Sequence, residues 1–373
     1  MRASPVLRLL PPHPLVVEVK AEMMMGKEPE ILLAIVVPAY RARFLGRAVE
    51  SIARQTDRRF RLYVGDDGSP EALEPVVRSA AAGCEVAYER FDGNLGAQSL
   101  VRHWDRCIQL SREPWVWLFS DDDVMEPGCV EAFYRELERT EAAYDLYRFN
   151  TFQVDADDRV LAVSAAHPGV ESTLEFAYHR LCGTRHSTLQ ELIFSREAYR
   201  RAGAFPDFPH AWCSDDAAII LLGGRTGIRT IDGPRVLFRM SGENITSQYG
   251  NARVNRGKRK ASMAYLDWLM EHFRGARDER LMLDAAMLRR AAERWFISQY
   301  VWLQTFCSVA ECREMSRFVA RMWGGRPRYH FLRFMRWNLG FVWNRVIRRP
   351  LSRGARFLLG NSAHGGERRP RTA

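Results

Sequence analysis

The spacing of apolar residues predicts alternating strands and helices over residues 31–119. An unbroken apolar run at 31–37, ILLAIVV, is typical of a strand buried on both faces. Apolar residues at helical spacing follow from 44 to 55. The alternation continues with strands at 60–64, 85–89 and 115–119 and with helices at 71–81 and from 96 to about 110. This rhythm predicts an α/β fold with a mainly parallel central sheet, right-handed crossovers and flanking helices.

Polar residues cluster directly after three of these strands. They are Pro38–Tyr40 after the first strand, Asp66 and Asp67 after the second, and Asp121–Asp123 after the fourth. In open parallel sheets, ligands bind beyond the carboxyl ends of the strands. The sequence therefore predicts a nucleotide site at this edge of the sheet.

Beyond about residue 145 the pattern changes to short strands and isolated helices. Apolar stretches at 145–154 and 160–163, around a DADD turn, predict a hairpin. Ser195 is expected to cap a helix at 196–202 that Gly203 ends. The other predicted elements are strands at 189–194, 228–231 and 235–240, a helix from 214 to about 222, and helices throughout from about 253. We interpret the residues from about 145 to 250 as the second half of the same domain.

Charge divides the chain into two parts. The whole chain has a formal net charge of +10, but residues 1–250 carry 29 Lys or Arg against 36 Asp or Glu, and residues 251–373 carry 26 against 9. The two parts are therefore expected to face different partners. We predict a disordered segment at 1–29, a catalytic domain at 30–250, and a basic, mainly helical region at 251–373 with a disordered end.

Cysteine usage and hydropathy favour a cytoplasmic protein. Seven scattered cysteines without a CxxC pair indicate reduced thiols rather than a disulfide framework or a zinc site. No stretch reaches the roughly 18–20 apolar residues that a transmembrane helix needs. A small-residue cleavage site is absent near the start of the sequence, so no signal peptide is predicted.

Three motifs carry the candidate chemistry. In the first, VVPAY at 36–40 and DDGS at 66–69, carboxylates can accept hydrogen bonds from a base or a ribose, although an ordinary Asp-Gly turn has the same letters. In the second, WVWLFSDDDVMEPG at 115–128, three consecutive carboxylates repel one another unless a cation neutralises them. A hard divalent ion accepts such ligands and can bridge to phosphates. A solvated acidic turn that caps the next helix is the alternative.

The third motif is FPDFPHAWCSDDA at 205–217. Its aromatic and Pro residues could form the wall of a sugar site, and its adjacent carboxylates could supply a general base. One of two adjacent acids can have its pKa raised by the other. The alternative is that 214–216 only cap a helix, where acids favour the positive end of the dipole.

In this order and spacing, the three motifs resemble those of family 2 glycosyltransferases of the GT-A fold, over about residues 31–247. The resemblance implies an inverting enzyme that takes a sugar from a nucleotide-diphosphate donor, most often a UDP-sugar. It also implies a saccharide or lipid-linked acceptor, of the kind found in bacterial surface polysaccharide biosynthesis. GNLGAQSL at 93–100 resembles the loop and helix start that close over the nucleotide. By position, the nucleotide contacts fall on Pro38, Tyr40, Asp66, Asp67, Asn94 and Gly96.

The DDD run resembles the metal-binding DxD motif of that family. Alignment on Pro127–Gly128 places Ser120 at the first acidic position of the motif and Asp122 at the second. The resemblance implies Asp122 as a ligand of Mn²⁺ or Mg²⁺, with Asp123 as a further candidate and Asp121 as a ribose contact. Which of the three holds the metal stays open.

SDD at 214–216 resembles the acidic pair of the family. The resemblance implies that Asp216 deprotonates the acceptor hydroxyl, with Asp215 beside it in the catalytic pair. RMSGENITS at 239–247 resembles the segment that folds back over the diphosphate, where Arg239 would bind, although the His often found there is missing.

Residues 313–373 carry Arg repeatedly among large apolar residues. One helical face is expected to carry Leu332, Met335, Leu339, Val342 and Val346. Arg and Trp on such a helix suit contact with an anionic membrane, on the inner face of the plasma membrane for a cytoplasmic enzyme. Packing on the catalytic domain is the alternative. Nucleic acid is not expected as a partner, because no recognised binding module accompanies the charge.

Two other functions compete with sugar transfer. A non-catalytic sugar-nucleotide-binding protein would explain Ser120 in place of an acid and the missing His. A nucleotidyltransferase would also combine an α/β sheet with a metal held by carboxylates, but its Gly-rich triphosphate loop is not visible after the first strand.

Overall fold

The computed structural model describes residues 31–242, 251–302 and 307–342. The prediction of disorder at 1–29 and at the end of the chain, and most of the predicted 239–247 segment, lie outside these residues. The chain divides into two compact units. The first contains the described residues up to 242 together with 260–296, and the second contains 251–259 and the described residues from 297.

The first unit is built on a ten-stranded sheet of order β3-β2-β1-β4-β9-β6-β10-β5, with β7 paired to β6 and β8 to β10. Its strands are β1 (Leu33–Ala39), β2 (Phe60–Asp66), β3 (Val86–Arg90), β4 (Trp115–Leu118), β5 (Val124–Met125), β6 (Leu146–Val154), β7 (Val160–Val163), β8 (Val170–Glu171), β9 (Leu192–Ser195) and β10 (Ile228–Arg239). β1–β4, β6 and β10 run in one direction, and β9 is inserted antiparallel between β4 and β6. The predicted α/β fold with a mainly parallel central sheet is confirmed.

Helices of the first unit flank this sheet. They are α1 (Ala42–Ala53), α2 (Leu73–Ala80), α3 (Leu100–Ile108), α4 (Cys129–Arg139), α5 (Thr173–Cys182), α6 (Arg196–Ala202) and α7 (Ser214–Gly223). Two longer helices, α8 (Ala252–His272) and α9 (Ala285–Trp302), have part of their length in each unit. The predicted apolar face of α1 is buried, and the predicted cap of α6 is present because the Ser195 hydroxyl accepts the Ala198 N–H.

The core of the first unit follows the apolar runs of the sequence. The residues of β1 from Leu33 to Val37 are completely buried. Trp117 of β4 stacks on Phe149 of β6 with ring centroids 5.1 Å apart, and its indole N–H donates to the Gln190 carbonyl (2.7 Å). The ring contact spans β9, which lies between β4 and β6 in the sheet.

Three predictions of secondary structure were wrong in part. The strand predicted at 189–194 is present from Leu192 as β9, but Leu189–Glu191 forms a 3-10 turn instead. The two strands predicted at 228–231 and 235–240 are the single strand β10, whose pairing with β6 shifts register between Ile231 and Val236. The chain after 253 is not helical throughout, because β11 (Arg277–Asp278) pairs with β12 (Leu283–Asp284).

The second unit contains helices α10 (Val309–Trp323) and α11 (Pro327–Val342), along with the ends of α8 and α9. Ser308 and Glu311 form a capping box at the start of α10, and Arg259 makes an ion pair with Glu311. Those hydrogen bonds and the Arg259 pair lower the pKa of Glu311 to about 2, although burial acts in the opposite direction. Among the described residues, no helix is both long and apolar enough to cross a bilayer.

Candidate functional site

Strand register brings the three predicted polar clusters to one edge of the sheet. Ala39 of β1 lies opposite Asp66 of β2, and the Asp67 N–H donates to the Ala39 carbonyl (2.9 Å). β4 is parallel to β1, so the residues after Leu118 leave the sheet at the same edge. Pro38 is the last but one residue of β1, and Tyr40 follows the strand directly.

Asp66 is completely buried and fully paired with protein donors. Its carboxylate accepts the Ser69 N–H (2.7 Å), the Tyr88 hydroxyl (2.6 Å) and the Arg90 guanidinium (2.7 Å). The Arg90 side chain is half exposed, so this cation lies at the surface of the strand ends. Sequence reasoning missed Arg90, which lies at the end of β3 without a motif of its own.

Asp67 ties the glycine loop to the end of β2. Its carboxylate accepts the N–H groups of Leu95 (2.9 Å) and Gly96 (2.8 Å) and the Arg106 guanidinium. A Cβ at Gly96 would lie 2.6 Å from Asp67 Oδ2, so a side chain there would break this contact. Asn94 Oδ1 accepts the Ala97 N–H (2.8 Å) in the same loop.

The three carboxylates after β4 have different surroundings. Asp121 accepts the Tyr40 N–H (3.0 Å), which ties it to the end of β1, and burial raises its pKa. Asp123 accepts the Arg239 N–H through Oδ1 (2.7 Å), whereas Oδ2 is buried with no hydrogen-bond partner in the described chain. Burial, followed by the charge of Asp122, raises the pKa of Asp123 well above its usual range.

Asp122 is the least constrained of the three. Among the described residues, no other residue donates a hydrogen bond to its carboxylate. Burial and then the neighbouring Asp121 raise its pKa to about 7, while Arg239 acts to lower it. A cation close to this carboxylate would favour its ionised form.

Arg239 holds the acidic turn together. Its guanidinium donates to the carbonyls of Asp122 (2.6 Å) and Asp155 (2.9 Å), and it makes an ion pair with Asp158 (2.5 Å). The Arg239 side chain is completely buried and lies over the Phe44 ring (4.7 Å). In this structure Arg239 positions the acidic turn, and its contact with a diphosphate stays a prediction.

The acidic turn fits a divalent ion that takes few ligands from protein. The described residues contain no group of three or more His, Cys, Asp or Glu side chains arranged around one point. Mg²⁺ is usually held by one or two carboxylates, with waters and substrate phosphates completing its shell. Asp122, with its carboxylate open, and the unpartnered Oδ2 of Asp123 offer such a set.

The second acidic pair begins helix α7. Asp216 is buried, and its Oδ1 accepts Nε of Arg180 from the last turn of α5 (2.6 Å). Its N–H donates to Asp215 Oδ1 (2.9 Å). Burial and then the charge of Asp216 raise the pKa of Asp215 to about 7, and Arg180 acts to lower it. Arg180 was not predicted from the sequence.

His186 lies close to the end of β6. Its ring Nε2 lies 3.4 Å from the Gln153 amide, close to the end of β6 where Asp155 binds Arg239. Burial and then Arg180 lower the pKa of His186, and Asp216 acts to raise it, so this imidazole lies within electrostatic reach of the α7 pair.

The segment before α7 has an unusual backbone. His210, Ala211 and Cys213 have φ values of 60°, 53° and 68°, in the left-handed region that side-chain-bearing residues rarely adopt. Such conformations persist where the surroundings hold them, and they cluster at functional sites. The Ser99 hydroxyl donates to Asp207 (2.6 Å), which ties this segment to the start of α3 beyond the glycine loop.

Comparison with known proteins identifies the domain. The model of the family described as glycosyl transferase family 2 matches residues 34–198. Over these residues the chain has a family 2 glycosyltransferase domain. The match contains β1–β4, the glycine loop and the acidic turn, whereas Asp215, Asp216 and Arg239 lie beyond its end.

Solved structures support the GT-A fold of this chain. S. aureus TarS 1–349 in complex with UDP-GlcNAc has a TM-score of 0.58 and 13% identity, and the match covers 78% of this chain and 80% of that one. The same TarS segment in complex with UDP has a TM-score of 0.52 and 13% identity, covering 78% and 79%. At this identity the likeness shows the fold alone. A search of the curated proteins found no significant match.

Proposed function

We propose that this glycosyltransferase moves a sugar, with inversion, from a nucleotide-diphosphate donor to a saccharide or lipid-linked acceptor in surface polysaccharide biosynthesis. One observation carries the proposal. Two acidic groups, the turn after β4 and the pair at the start of α7, each contain a buried carboxylate, and the first of them lies within the segment that matches the family 2 model. An inverting transfer needs a place for the diphosphate and, opposite it, a base for the acceptor hydroxyl.

The donor site is proposed at the ends of β1, β2 and β4. Tyr40, Asp121, the glycine loop with Asn94 and Gly96, and the half-exposed Arg90 beside Asp66 surround it. TarS, which shares the fold, was solved with UDP-GlcNAc and with UDP, which supports a UDP-sugar as the donor. Asp66 and Asp67 shape this site through Arg90 and the glycine loop, since their own oxygens already bind protein donors.

We propose Asp122 and Asp123 as the ligands of Mn²⁺ or Mg²⁺. Such an ion acts as a Lewis acid that offsets the negative charge developing on a diphosphate leaving group. The chain itself keeps the turn in place, through Asp121 on the Tyr40 N–H and through Arg239 on the Asp122 carbonyl. This preorganisation fixes where the donor diphosphate can bind.

The base is proposed to be Asp216, with Asp215 beside it. Arg180 keeps negative charge at this pair, and the dipole of α7 favours it as well. As the acceptor hydroxyl attacks the anomeric carbon, the C–O bond to the diphosphate breaks and the hydroxyl proton passes to the Asp216 carboxylate. A positioned base typically contributes about 10²–10⁴-fold to the rate.

Product analysis tests this function. Purified full-length protein is incubated with a panel of nucleotide sugars, saccharide acceptors and Mn²⁺ or Mg²⁺. Release of nucleoside diphosphate with transfer of the sugar is the expected result. Release of pyrophosphate would indicate a nucleotidyltransferase instead, and binding of a nucleotide sugar without turnover of any acceptor would indicate a binding protein.

The raised pKa values of Asp122 and Asp215 predict that stability depends on pH. Burial holds the pKa of Asp122 and of Asp215 at about 7 in the folded chain, against about 3.9 for Asp in an unfolded one. Between these values the folded protein retains protons that the unfolded chain has lost. The contribution of these two carboxyl groups to the free energy of unfolding is therefore complete below about pH 4 and is lost as pH rises through about 7. In EDTA, the melting temperature is therefore expected to fall from about pH 5 to about pH 8.

Adding Mn²⁺ at about pH 8 should raise the melting temperature of the wild type, because only the folded form offers the site. Asp122→Asn should have a flatter pH profile in EDTA and should lose most of the Mn²⁺ effect. Asp157→Asn, at an exposed turn carboxylate, is the matched control and should behave like the wild type. An equal Mn²⁺ effect in Asp122→Asn and wild type would refute Asp122 as a ligand.

We also propose that the enzyme works in the cytoplasm at the inner face of the plasma membrane. The basic region after residue 250, with 26 Lys or Arg against 9 Asp or Glu, supports this location. A lipid-linked acceptor would be available there.

A further inference from the structure

Helix α11 in the second unit presents large apolar side chains to solvent. Tyr329, Leu332 and Leu339 are 66%, 67% and 66% exposed. Their spacing of three and seven residues places them on one face of the helix. Arg336 is exposed on the same face, and Arg328 at its border is exposed too. We call these five residues the α11 surface.

The orientation of this face is set by packing on the opposite side of α11. Phe334 and Asn338 are buried there. The Asn338 amide bonds both the carbonyl (2.6 Å) and the N–H (3.1 Å) of Cys307, just before α10. Tyr300 packs against the Phe334 ring with centroids 5.0 Å apart. Rotating the apolar face inward would break these contacts, so its exposure is a property of the folded unit.

The charge around the α11 surface has one sign. Residues 327–342 contain three Arg and no acidic residue, and residues 315–373 contain fourteen Arg and one acidic residue. Arg333 lies over the Trp337 ring (4.6 Å), so the border of the face is also basic and aromatic. A partner must therefore accept apolar side chains and supply negative charge at the same place.

An anionic bilayer meets both requirements. Interfacial helices bury their apolar side chains about 5–10 Å into the boundary between headgroups and acyl chains, while Arg side chains stay among the lipid phosphates. A nucleic acid supplies the charge but no apolar layer. A second copy in a symmetric contact would bring Arg328 and Arg336 against the same basic face, which like-charge repulsion disfavours.

We propose that the α11 surface binds anionic membranes, with Tyr329, Leu332 and Leu339 entering the lipid boundary and Arg328 and Arg336 binding lipid phosphates. This inference does not depend on sugar transfer, because membrane binding is measured without donor or acceptor.

Co-sedimentation of the full-length protein with vesicles tests the proposal. The wild type should bind phosphatidylcholine vesicles that contain about one third phosphatidylglycerol and bind pure phosphatidylcholine much less. Leu332→Ser/Leu339→Ser removes the apolar contact and keeps the charge, and it should weaken binding by about tenfold or more. Arg328→Gln/Arg336→Gln should weaken it by a similar factor and reduce its dependence on salt.

Leu161→Ser/Val163→Ser is the matched control, since these β7 residues are 58% and 66% exposed in the other unit. It should bind vesicles like the wild type. Melting temperatures near the wild-type value would show that the surface substitutions leave the fold intact. The proposal is overturned if Leu332→Ser/Leu339→Ser binds as tightly as the wild type. It is equally overturned if that variant only converts a dimer into a monomer in light scattering, with vesicle binding unchanged.

Discussion

Asp216→Asn is expected to lower kcat/KM for sugar transfer by about 10²–10⁴-fold, with donor binding retained. Asn has the shape of Asp, and its amide oxygen can still accept the Arg180 hydrogen bond, which joins the two side chains at 2.6 Å in the wild type. What it lacks is the capacity to take the proton of the acceptor hydroxyl. The measurement is the initial rate of nucleoside diphosphate release with the acceptor at saturation and the donor varied, which gives kcat/KM for the donor.

Asp215→Asn is the control within the same pair. Asp215 is less buried than Asp216, and its carboxylate accepts the Asp216 N–H, a bond that an amide oxygen can replace. We expect a loss of about tenfold or less, because only a neighbouring charge is removed. Donor affinity from thermal shift should be unchanged in both variants. A wild-type rate in Asp216→Asn, or a larger loss in Asp215→Asn, would move the base to Asp215 or elsewhere.

Local patterns were sufficient to predict the first half of the fold. β1, β2 and β4 are short apolar runs that the sheet buries, so the signal in the sequence and the physical cause are the same. The polar residues after these strands predicted that the site lies at the carboxyl ends of the strands. Parallel register then brings Ala39 opposite Asp66, as such an arrangement requires.

Where structure depends on distant partners, the sequence was less informative. β10 continues through Gly233 and Pro234 because β6 pairs with it on both sides of the register shift, although Gly and Pro locally indicate a break. The 3-10 turn at Leu189–Glu191 directly precedes the apolar residues of β9, and its Gln190 carbonyl accepts the indole N–H of Trp117 from β4, a contact across 73 residues.

The cations of the site could not be predicted for the same reason. Arg90 reaches Asp66 across 24 residues, and Arg180 reaches Asp216 across 36. The chain contains many other Arg residues, and neither Arg90 nor Arg180 belongs to a motif, so the sequence does not distinguish them. An Arg in the last turn of a helix is favourable through the dipole alone, which is the ordinary explanation for Arg180.

Arg180→Met is expected to shift the acidic limb of the kcat/KM profile to higher pH by about one unit or more. The Asp215–Asp216 pair is faced by Arg180 from α5, His186 from the following loop, Cys213 on its own segment and Tyr265 from α8. Burial lowers the pKa of His186, and it raises that of Cys213 and of Tyr265 well above the usual range.

At neutral pH these three groups are therefore uncharged, which leaves Arg180 as the positive charge acting on the pair among the described residues. Without it, burial would favour the protonated acids, whose ionised form the reaction needs. Activity at about pH 7 should fall about 10–100-fold and recover in part at about pH 9, whereas Asp216→Asn should not recover at any pH.

Arg180→Lys separates charge from geometry. It keeps a cation on α5, so its pH profile should stay near that of the wild type even if its rate falls because the Nε contact is lost. Guanidinium ion added to Arg180→Ala would restore the positive charge without the Arg180 side chain. Partial recovery of activity would therefore also show that the charge matters. An acidic limb that stays in place in Arg180→Met, while the wild type is active, would show that Arg180 only stabilises the fold. A wild type inactive with every donor would instead remove sugar transfer itself, so the two failures are distinguishable.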